Sequence, residues 1–367
     1  MMKIGGKTVG RRLALGALLC LALLICSGPR ALAEADPLPS WNDGPARRAI
    51  ISFVSAVTQP SSPDFIPEGE RIATFDMDGT LWVEQPVYAE VDFAYDRLAA
   101  RAAADPSLAS AEPFRGILDR GRAALPALGG GDLDALLTFA MSGMTVDAFT
   151  AEVRTWLTTA RQACWNVPPT RLFYQPMREV MAYFEAHGFT NYIVTGSGQD
   201  FVRSFARNAL GVPPGHVVGT ARLARFARDG NGPPQLVAGA NVLLTVAGPA
   251  KPEAIHLFIG QRPVAAFGNS SGDADMLDYA TARKGRSLAM LVLHDDGARE
   301  YAYGPALGLP DTAIGAFSQA LFDRARNSGW HVISMRNDWR VVLTGVKKEA
   351  AAPPSVGCAL PGGLAAP

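Results

Sequence analysis

IATFDMDGTL, residues 72–81, joins a short apolar run to a polar cluster with two aspartates two positions apart. An apolar run that ends so abruptly is typical of a buried parallel strand. In open α/β sheets ligands bind at the carboxyl ends of the strands, so Asp76 and Asp78 lie where a ligand is expected. Two aspartates before a glycine also occur in ordinary turns, so the motif has to be weighed with the rest of the chain.

Three more polar motifs follow in chain order, and each ends a predicted strand or opens a predicted helix. They are IVTGSG (193–198), KPEAI (251–255) and GNSSGDADML (268–277). The carboxyl ends of parallel strands meet at one edge of a sheet, so all four motifs are expected to converge there. Chance turns would not account for such an ordered set.

The surrounding pattern predicts an α/β fold with a helical insert. Residues 34–85 and 164–346 alternate between strands and helices, and residues 86–163 read as helices alone. One insert helix carries an apolar stripe of Leu133, Leu136, Leu137, Ala140 and Met141, which we interpret as core. Further predicted elements are helices over 45–58, 88–104 and 114–124, a helix capped by Thr145, a hairpin over 217–246, and strands over 192–194, 264–267, 288–293 and 331–335.

The first 33 residues have the layout of a secretory signal peptide. Four basic residues precede an uncharged apolar run, residues 13–26, and Ala31-Leu32-Ala33 offers a small-residue cleavage site after Ala33. Twin-arginine export through Arg11-Arg12 and a lipid anchor at Cys26 fit these residues less well. We therefore predict an exported protein, periplasmic or secreted, with no stable membrane anchor once the leader is removed.

Composition and charge exclude several classes of protein. The chain has 367 residues, of which 48% are hydrophobic and 19% charged, which argues against a disordered or coiled-coil protein. Removing the leader takes away five of 34 basic residues and no acidic one, which leaves a formal charge of −5. Such a surface gives no electrostatic reason to expect nucleic acid as a partner. Cys164 and Cys358 could pair in an oxidising compartment, and residues 347–367 read as a disordered tail.

The four motifs together resemble the haloacid dehalogenase superfamily, in its phosphatase branch with a phosphoserine-phosphatase-like organisation. The resemblance implies a three-layer, Rossmann-like parallel sheet core with the helical insert as a cap. It also implies that Asp76 attacks phosphorus to form an aspartyl-phosphate, while Asp78 protonates the leaving oxygen and later deprotonates water. Dehalogenases of the superfamily lack the second aspartate, because a halide leaving group needs no proton.

The same resemblance assigns the remaining motifs. Thr195, with Gly196 and Ser197, would hydrogen-bond the phosphoryl oxygens, and Lys251 would neutralise the nucleophile and the growing charge. Mg²⁺ is the implied cofactor because every candidate ligand is oxygen. The Asp76 carboxylate, the Asp78 main-chain carbonyl and the fourth motif would hold it. Asn269 stands where the family usually has an acid, so either Asn269 or Asp273 could be the direct ligand.

The substrate is expected to be a small phosphate ester selected by the helical insert. Glu84 and Gln85 follow the first motif closely and are predicted to face the substrate. In phosphoserine phosphatases a glutamate nine residues after the nucleophile contacts the substrate amine, and Gln85 occupies that position here. Trp82 could face the substrate or pack in the core. The leading hypothesis is a Mg²⁺-dependent phosphomonoesterase; the alternatives are a phosphotransferase and a phosphate-ligand-binding protein without turnover.

Overall fold

The computed structural model describes Met2 and residues 36–162, 164–228 and 232–347, and all elements below lie in the compact unit that begins at Leu38. The strands are β1 Ile72–Phe75, β2 Thr190–Gly198, β3 Val217–Ala227, β4 Gln235–Leu244, β5 Ala265–Gly268, β6 Leu288–Leu293 and β7 His331–Ser334. The α-helices are Pro45–Thr58, Ala89–Ala104, Pro106–Ser110, Phe114–Arg120, Gly130–Met141, Val146–Thr159, Gln175–Ala186, Gln199–Arg203, Ala206–Leu210, Ala250–Phe258, Ala274–Thr281, Gln319–Asn327 and Met335–Asp338. Short 3₁₀ helices are Glu68–Glu70, Arg122–Ala127, Pro169–Arg171, Pro214–His216, Ser271–Asp273 and Ala306–Gly308.

The seven strands form one sheet in the order β4-β3-β2-β1-β5-β6-β7. Every neighbouring pair is parallel except β3 and β4, which form the predicted antiparallel hairpin. From the central β1 the chain runs outward to β2 and β3, then returns to place β5 on the other side of β1. This reversal is a topological switch point, where a doubly wound sheet opens a crevice at its carboxyl edge. The predicted α/β, Rossmann-like fold is confirmed.

Helices cover both faces of the sheet. Successive side chains of a strand point to opposite faces, so each central strand contributes to a buried core on both sides. On one face Phe75 stacks on Phe267 with ring centroids 4.6 Å apart, and Phe184 of a flanking helix packs against both. On the other face Val194 and Ala266 belong to a second buried cluster. The β1 and β5 strands are therefore buried along their whole length, which explains why they are rich in apolar residues.

Between β1 and β2 the insert is helical, as predicted, although its status as a separate cap domain stays a prediction. The side chain of Thr145 accepts a hydrogen bond from the Ala148 N–H, which confirms it as a helix N-cap. The helix predicted over 114–124 instead ends at Arg120. Gly121 there adopts a φ of +68°, and the chain continues as a 3₁₀ turn that contains Pro126.

Several of the sequence predictions concern the two ends of the chain. Apart from Met2, the predicted leader over 1–33 lies outside the described residues together with its cleavage site. Residues 348–367 of the predicted tail, which include Cys358, lie outside them as well. Cys164 is buried and disulfide-bonded. No helix within the described ranges is long and apolar enough to cross a bilayer.

Candidate active site

The four motifs converge on one cavity of about 300 Å³ at the carboxyl edge of the sheet. Strands β1, β2 and β5 each end there, so the residues that follow them face a common space. The motif residues that line it are Asp76, Asp78, Thr195, Gly196, Ser197, Lys251, Ser270, Gly272 and Asp273. The motifs are far apart in the sequence but meet in the structure, because the strands that they follow are neighbours around the switch point.

Lys251 lies between two carboxylates at the base of the cavity. Its ammonium group donates to Asp76 Oδ1 and to Asp273 Oδ1, each at 2.6 Å, and to the main-chain oxygen of Val194 at 2.9 Å. All three ammonium protons are therefore used. Burial alone would lower the pKa of Lys251, but the two carboxylates more than offset it, so the pKa is raised and the side chain stays charged.

Asp76 keeps one oxygen for chemistry. Lys251 holds Oδ1, whereas Oδ2 has no hydrogen-bond partner among the residues that the structure describes. Burial, with a further contribution from Asp273, raises the pKa of Asp76 to about 7 in the absence of any ligand. A carboxylate crowded in this way gains when positive charge binds beside it.

Asp273 is fully engaged as a structural anchor. Its Oδ2 accepts hydrogen bonds from the main-chain N–H groups of Asn269 and Ser270, both at 2.9 Å, and closes a capping box on the following turn. Its Oδ1 accepts from Lys251. With both oxygens occupied, the geometry favours Asp273 as the partner of Lys251 over the role of metal ligand that the sequence left open.

The side chain of Asp78 is held by two donors. Trp82 Nε1 donates to Oδ1 at 2.8 Å, and Ser197 Oγ donates to Oδ2 at 2.6 Å. Trp82 is buried and stacks on Phe173 and Phe205, so its packing fixes the donor. Burial raises the pKa of Asp78, although both hydrogen bonds oppose the shift. Of the two sequence interpretations of Trp82 the structure favours core packing, since Trp82 does not line the cavity and reaches the site only through its hydrogen bond to Asp78.

The segment from Thr195 to Ser197 lies near the end of β2, where the pairing of this strand with β3 is irregular. Thr195 is fully buried apart from the cavity, and its Oγ1 accepts from the N–H of Ser197 at 3.1 Å. Its hydroxyl proton is then free to donate to a ligand. Hydroxyl and main-chain N–H donors at this position suit a phosphoryl group, which is rich in acceptors.

Asn269 and Glu84 form a pair beside the first motif. Asn269 Nδ2 donates to Glu84 Oε1 at 2.8 Å, and Asn269 Oδ1 accepts from Thr80 Oγ1 at 3.1 Å. The two bonds fix the amide with its oxygen in a defined direction. Gly79, at a φ of +73°, makes room for them, because a Cβ there would lie 2.0 Å from Asn269 Nδ2.

Glu84 also contacts a layer of buried side chains under the cavity, formed by Tyr303, His294 and Glu300. Its Oε1 also accepts from Tyr303 Oη at 2.8 Å, and the Tyr303 ring stacks on His294 at 4.4 Å between centroids. His294 Nε2 contacts the main-chain oxygen of Gly79 at 2.8 Å, and Nδ1 contacts Glu300. Burial raises the pKa of Glu84 to about 8, so the ligand-free site favours its protonated, neutral form near pH 7.

Of the remaining predicted residues, Gln85 does not reach the cavity. Its Nε2 donates to the main-chain oxygen of Ile314 at 2.9 Å and contacts Thr312. The residues that the sequence did not single out as site residues come mostly from the helical insert. They are Tyr88, Glu90, Val91, Leu133 and Leu137, together with Val246 and Ala247 after the hairpin.

The donor set next to the cavity fits a hard cation. Asp76, Asn269 and the carbonyl of Asp78 offer only oxygen, as Mg²⁺ prefers. Within the described residues no three His, Cys, Asp or Glu side chains are placed to hold a metal, so a site here requires amide and main-chain oxygens as well. A cation bound beside Asp76 and Glu84 would favour the ionised forms of both side chains, whose pKa values burial raises.

Comparisons with known proteins agree with this geometry. A sequence model of haloacid dehalogenase-like hydrolases matches residues 73–278, more than half of the chain and all four motifs. No match is found among curated proteins.

Solved structures with a similar arrangement share little sequence with this chain. A protein of unknown function from Bordetella pertussis Tohama I is 16% identical, with 72% of this chain and 98% of that chain covered and a TM-score of 0.45. A functionally unknown protein from Anaerococcus prevotii DSM 20548 is also 16% identical, with 78% and 90% covered and a TM-score of 0.47. A probable phosphoserine phosphatase from Vibrio cholerae is 15% identical, with 63% and 58% covered and a TM-score of 0.34. On the strength of the sequence model, the chain belongs to the haloacid dehalogenase-like hydrolases.

Proposed function

We propose that the protein is an exported, Mg²⁺-dependent phosphomonoesterase that hydrolyses small phosphate esters through an aspartyl-phosphate. One observation carries the proposal: two buried aspartates end β1, one paired with Lys251 and the other held by Trp82 and Ser197. A nucleophile and a separate acid-base group, two residues apart, are what phosphoester cleavage requires and halide displacement does not.

In the first half-reaction Asp76 Oδ2 attacks phosphorus, and the bond from phosphorus to the ester oxygen breaks. Asp78 gives its proton to that oxygen, which leaves as an alcohol. Lys251 holds Asp76 Oδ1 and keeps the attacking carboxylate aligned. The hydroxyl of Thr195 donates to the phosphoryl oxygens as their charge redistributes.

The second half-reaction returns the enzyme to its starting state. Asp78, now a carboxylate, takes a proton from water, and the resulting hydroxide attacks phosphorus. The bond between phosphorus and Asp76 breaks, and inorganic phosphate leaves. The two donors to Asp78 keep it in one position for both proton transfers.

Asp76, the carbonyl of Asp78 and Asn269 are the residues that would hold Mg²⁺. The chemistry that a bound Mg²⁺ supplies is neutralisation of the repulsion between the Asp76 carboxylate and the phosphate dianion. Asp273 is left out of this set because Lys251 and two main-chain N–H groups occupy its oxygens.

A phosphotransferase would use the same intermediate with an alcohol in place of water, so product analysis with an added alcohol separates the two. A protein that only binds phosphate needs no acid-base group, so it would have no use for an Asp78 held in one position. The two hydrogen bonds that position Asp78 therefore favour an enzyme.

Removal of metal tests the proposal directly. We expect the purified protein to hydrolyse p-nitrophenyl phosphate with Mg²⁺, and EDTA to lower the rate at least about 100-fold. Adding excess Mg²⁺ should restore the rate, which excludes damage by the chelator. Equal turnover with and without EDTA would contradict the metal dependence, and no turnover of any phosphate ester would contradict the enzyme itself.

Glu84→Gln tests how the chain holds a cation where Asn269 replaces an acid. Glutamine keeps an acceptor for Asn269 and Tyr303 but cannot ionise when a cation binds. We expect the Mg²⁺ concentration that gives half of the thermal stabilisation to rise about 10-fold, as for other residues that orient a metal ligand. Glu253→Gln, an exposed change on a neighbouring helix, is the matched control. An unchanged Mg²⁺ dependence in Glu84→Gln would contradict this role.

A further inference from the structure

The part of the cavity above the phosphoryl site carries an unusual balance of charge. Lys251 is its one basic lining residue among those that the structure describes, and all three of its protons are bound by Asp76, Asp273 and Val194. No cation is therefore left to receive a second anionic group of a substrate. A leaving group with a carboxylate or another phosphate would meet only like charge here.

The walls of this upper part come from the helical insert and are largely apolar. Leu133 and Leu137 project from one face of helix Gly130–Met141, since they are four residues apart. Val91 and Val246 complete the wall from the helix Ala89–Ala104 and from the end of the hairpin region. Such walls suit a compact group with aliphatic carbon.

One charged group interrupts that wall. Glu90 lies in the first turn of helix Ala89–Ala104, and its Oε2 accepts a hydrogen bond from the Gly198 N–H at 2.7 Å. The contact is built into the fold, because a Cβ at residue 198 would lie 2.3 Å from Glu90 Oε1. Glu90 makes no ion pair with any described residue. Arg222 is near enough to attract Glu90 electrostatically, but its guanidinium donates to Thr138 and to the main-chain oxygen of Ala240.

The position of Glu90 relates it to the leaving group. Ser197 donates to Asp78, the acid that protonates the leaving oxygen, and the adjacent Gly198 donates to Glu90. Two consecutive residues thus hold the two carboxylates, which places Glu90 in the same cavity as the group that protonates the leaving oxygen.

We infer that the substrate is a phosphate monoester of a small amino alcohol, with its cationic nitrogen against Glu90, its carbon atoms against the Leu133 and Leu137 wall, and no second anionic group. The inference rests on the proposed phosphatase function and names its substrate class. It also separates this chain from an enzyme for phosphoserine, whose carboxylate would find no partner here.

Two esters of one shape separate charge from size. Phosphocholine and 3,3-dimethylbutyl phosphate differ only by the exchange of a quaternary nitrogen for carbon. We expect kcat/KM for phosphocholine to exceed that of the neutral ester about 10-fold, as a charge-assisted contact in a sheltered site would give, and phosphoserine to be a poorer substrate than either. In Glu90→Gln, which keeps an acceptor for Gly198, the ratio should fall to about one. Asp147→Asn, an exposed change on the same insert, should leave the ratio as it is.

A ratio near one in the wild type, or a ratio that survives Glu90→Gln, would overturn the inference while leaving the phosphatase intact. Calorimetry on the Asp76→Asn variant gives a second measurement that needs no turnover. We expect it to bind phosphocholine more tightly than the neutral ester. Equal binding there overturns the inference even if no ester is hydrolysed, whereas failure of the proposed function alone leaves the difference in binding.

Discussion

Asp76→Asn should abolish hydrolysis of every phosphate ester, with a loss of at least about 10⁴-fold in kcat. The amide has nearly the shape of the carboxylate, but its oxygen is a poor nucleophile and cannot form the aspartyl-phosphate. Transfer of labelled phosphate from substrate to protein, measured after acid quenching, should vanish with the activity.

The same variant should fold at least as well as the wild type. Asp76 is one of two carboxylates paired with a single ammonium, and burial raises its pKa to about 7. Removing its charge relieves repulsion from Asp273 and leaves Lys251 with an ionic partner, so the melting temperature should not fall. Asp275→Asn, on the same motif but outside the cavity, is the matched control and should keep its activity. Full activity in a folded Asp76→Asn protein would contradict the mechanism.

This expected separation of activity from stability follows from how the site is made. The carboxylates at the carboxyl edge of the sheet are held by hydrogen bonds from neighbouring turns, as Asp273 is by two main-chain N–H groups. Their crowding costs stability that the apolar core under β1 and β5 supplies. Stored charge of this kind is useful only where a cation and an anionic substrate bind.

The central part of the fold and of the site could be predicted from the sequence because its signals are local. A buried strand and the polar residues that end it are adjacent in the chain, so Asp76, Thr195 and Lys251 are each marked by their own neighbours. The parallel sheet then brings these ends together by topology alone. The family prediction, which rests on these motifs, is confirmed by the sequence model.

The upper half of the cavity could not be predicted in this way. Leu133 and Leu137 belong to an apolar stripe that also contains Leu136 and Ala140, and periodicity does not tell which side of a stripe faces a core and which a cavity. In the structure Leu136 is fully buried, whereas Leu133 and Leu137 line the cavity. Glu90 carries no motif at all, and its position depends on a contact with Gly198, 108 residues away.

The layer under Glu84 was missed for the same reason. His294 and Tyr303 come from the segment after β6, where no sequence motif indicates a functional site. Only the folded chain places them beneath Gly79 and Glu84. Gln85 shows the converse, since its place in the sequence next to Glu84 suggested a substrate contact, whereas its side chain turns to the loop at Ile314.

Lys251→Met should have the largest effect on stability of any change in the site. The methionine fills a similar volume but leaves Asp76 and Asp273 as buried carboxylates without a cation. Breaking a buried ion pair from one side costs about 3 kcal/mol or more in the free energy of unfolding, because the remaining charge is not compensated. Chemical denaturation should show this loss, and hydrolysis should fall below detection because nothing aligns Asp76 or neutralises it.

A second variant distinguishes the loss of the charge from a poor fit of methionine. Lys251→Met combined with Asp273→Asn removes one carboxylate while keeping an acceptor for the N–H groups of Asn269 and Ser270. We expect the double variant to recover a large part of the stability and none of the activity. If the double variant is as unstable as Lys251→Met, packing and not charge determines the cost. If either variant hydrolyses phosphate esters at the wild-type rate, Lys251 has no part in the reaction, and the pairing of its ammonium with Asp76 serves the fold alone.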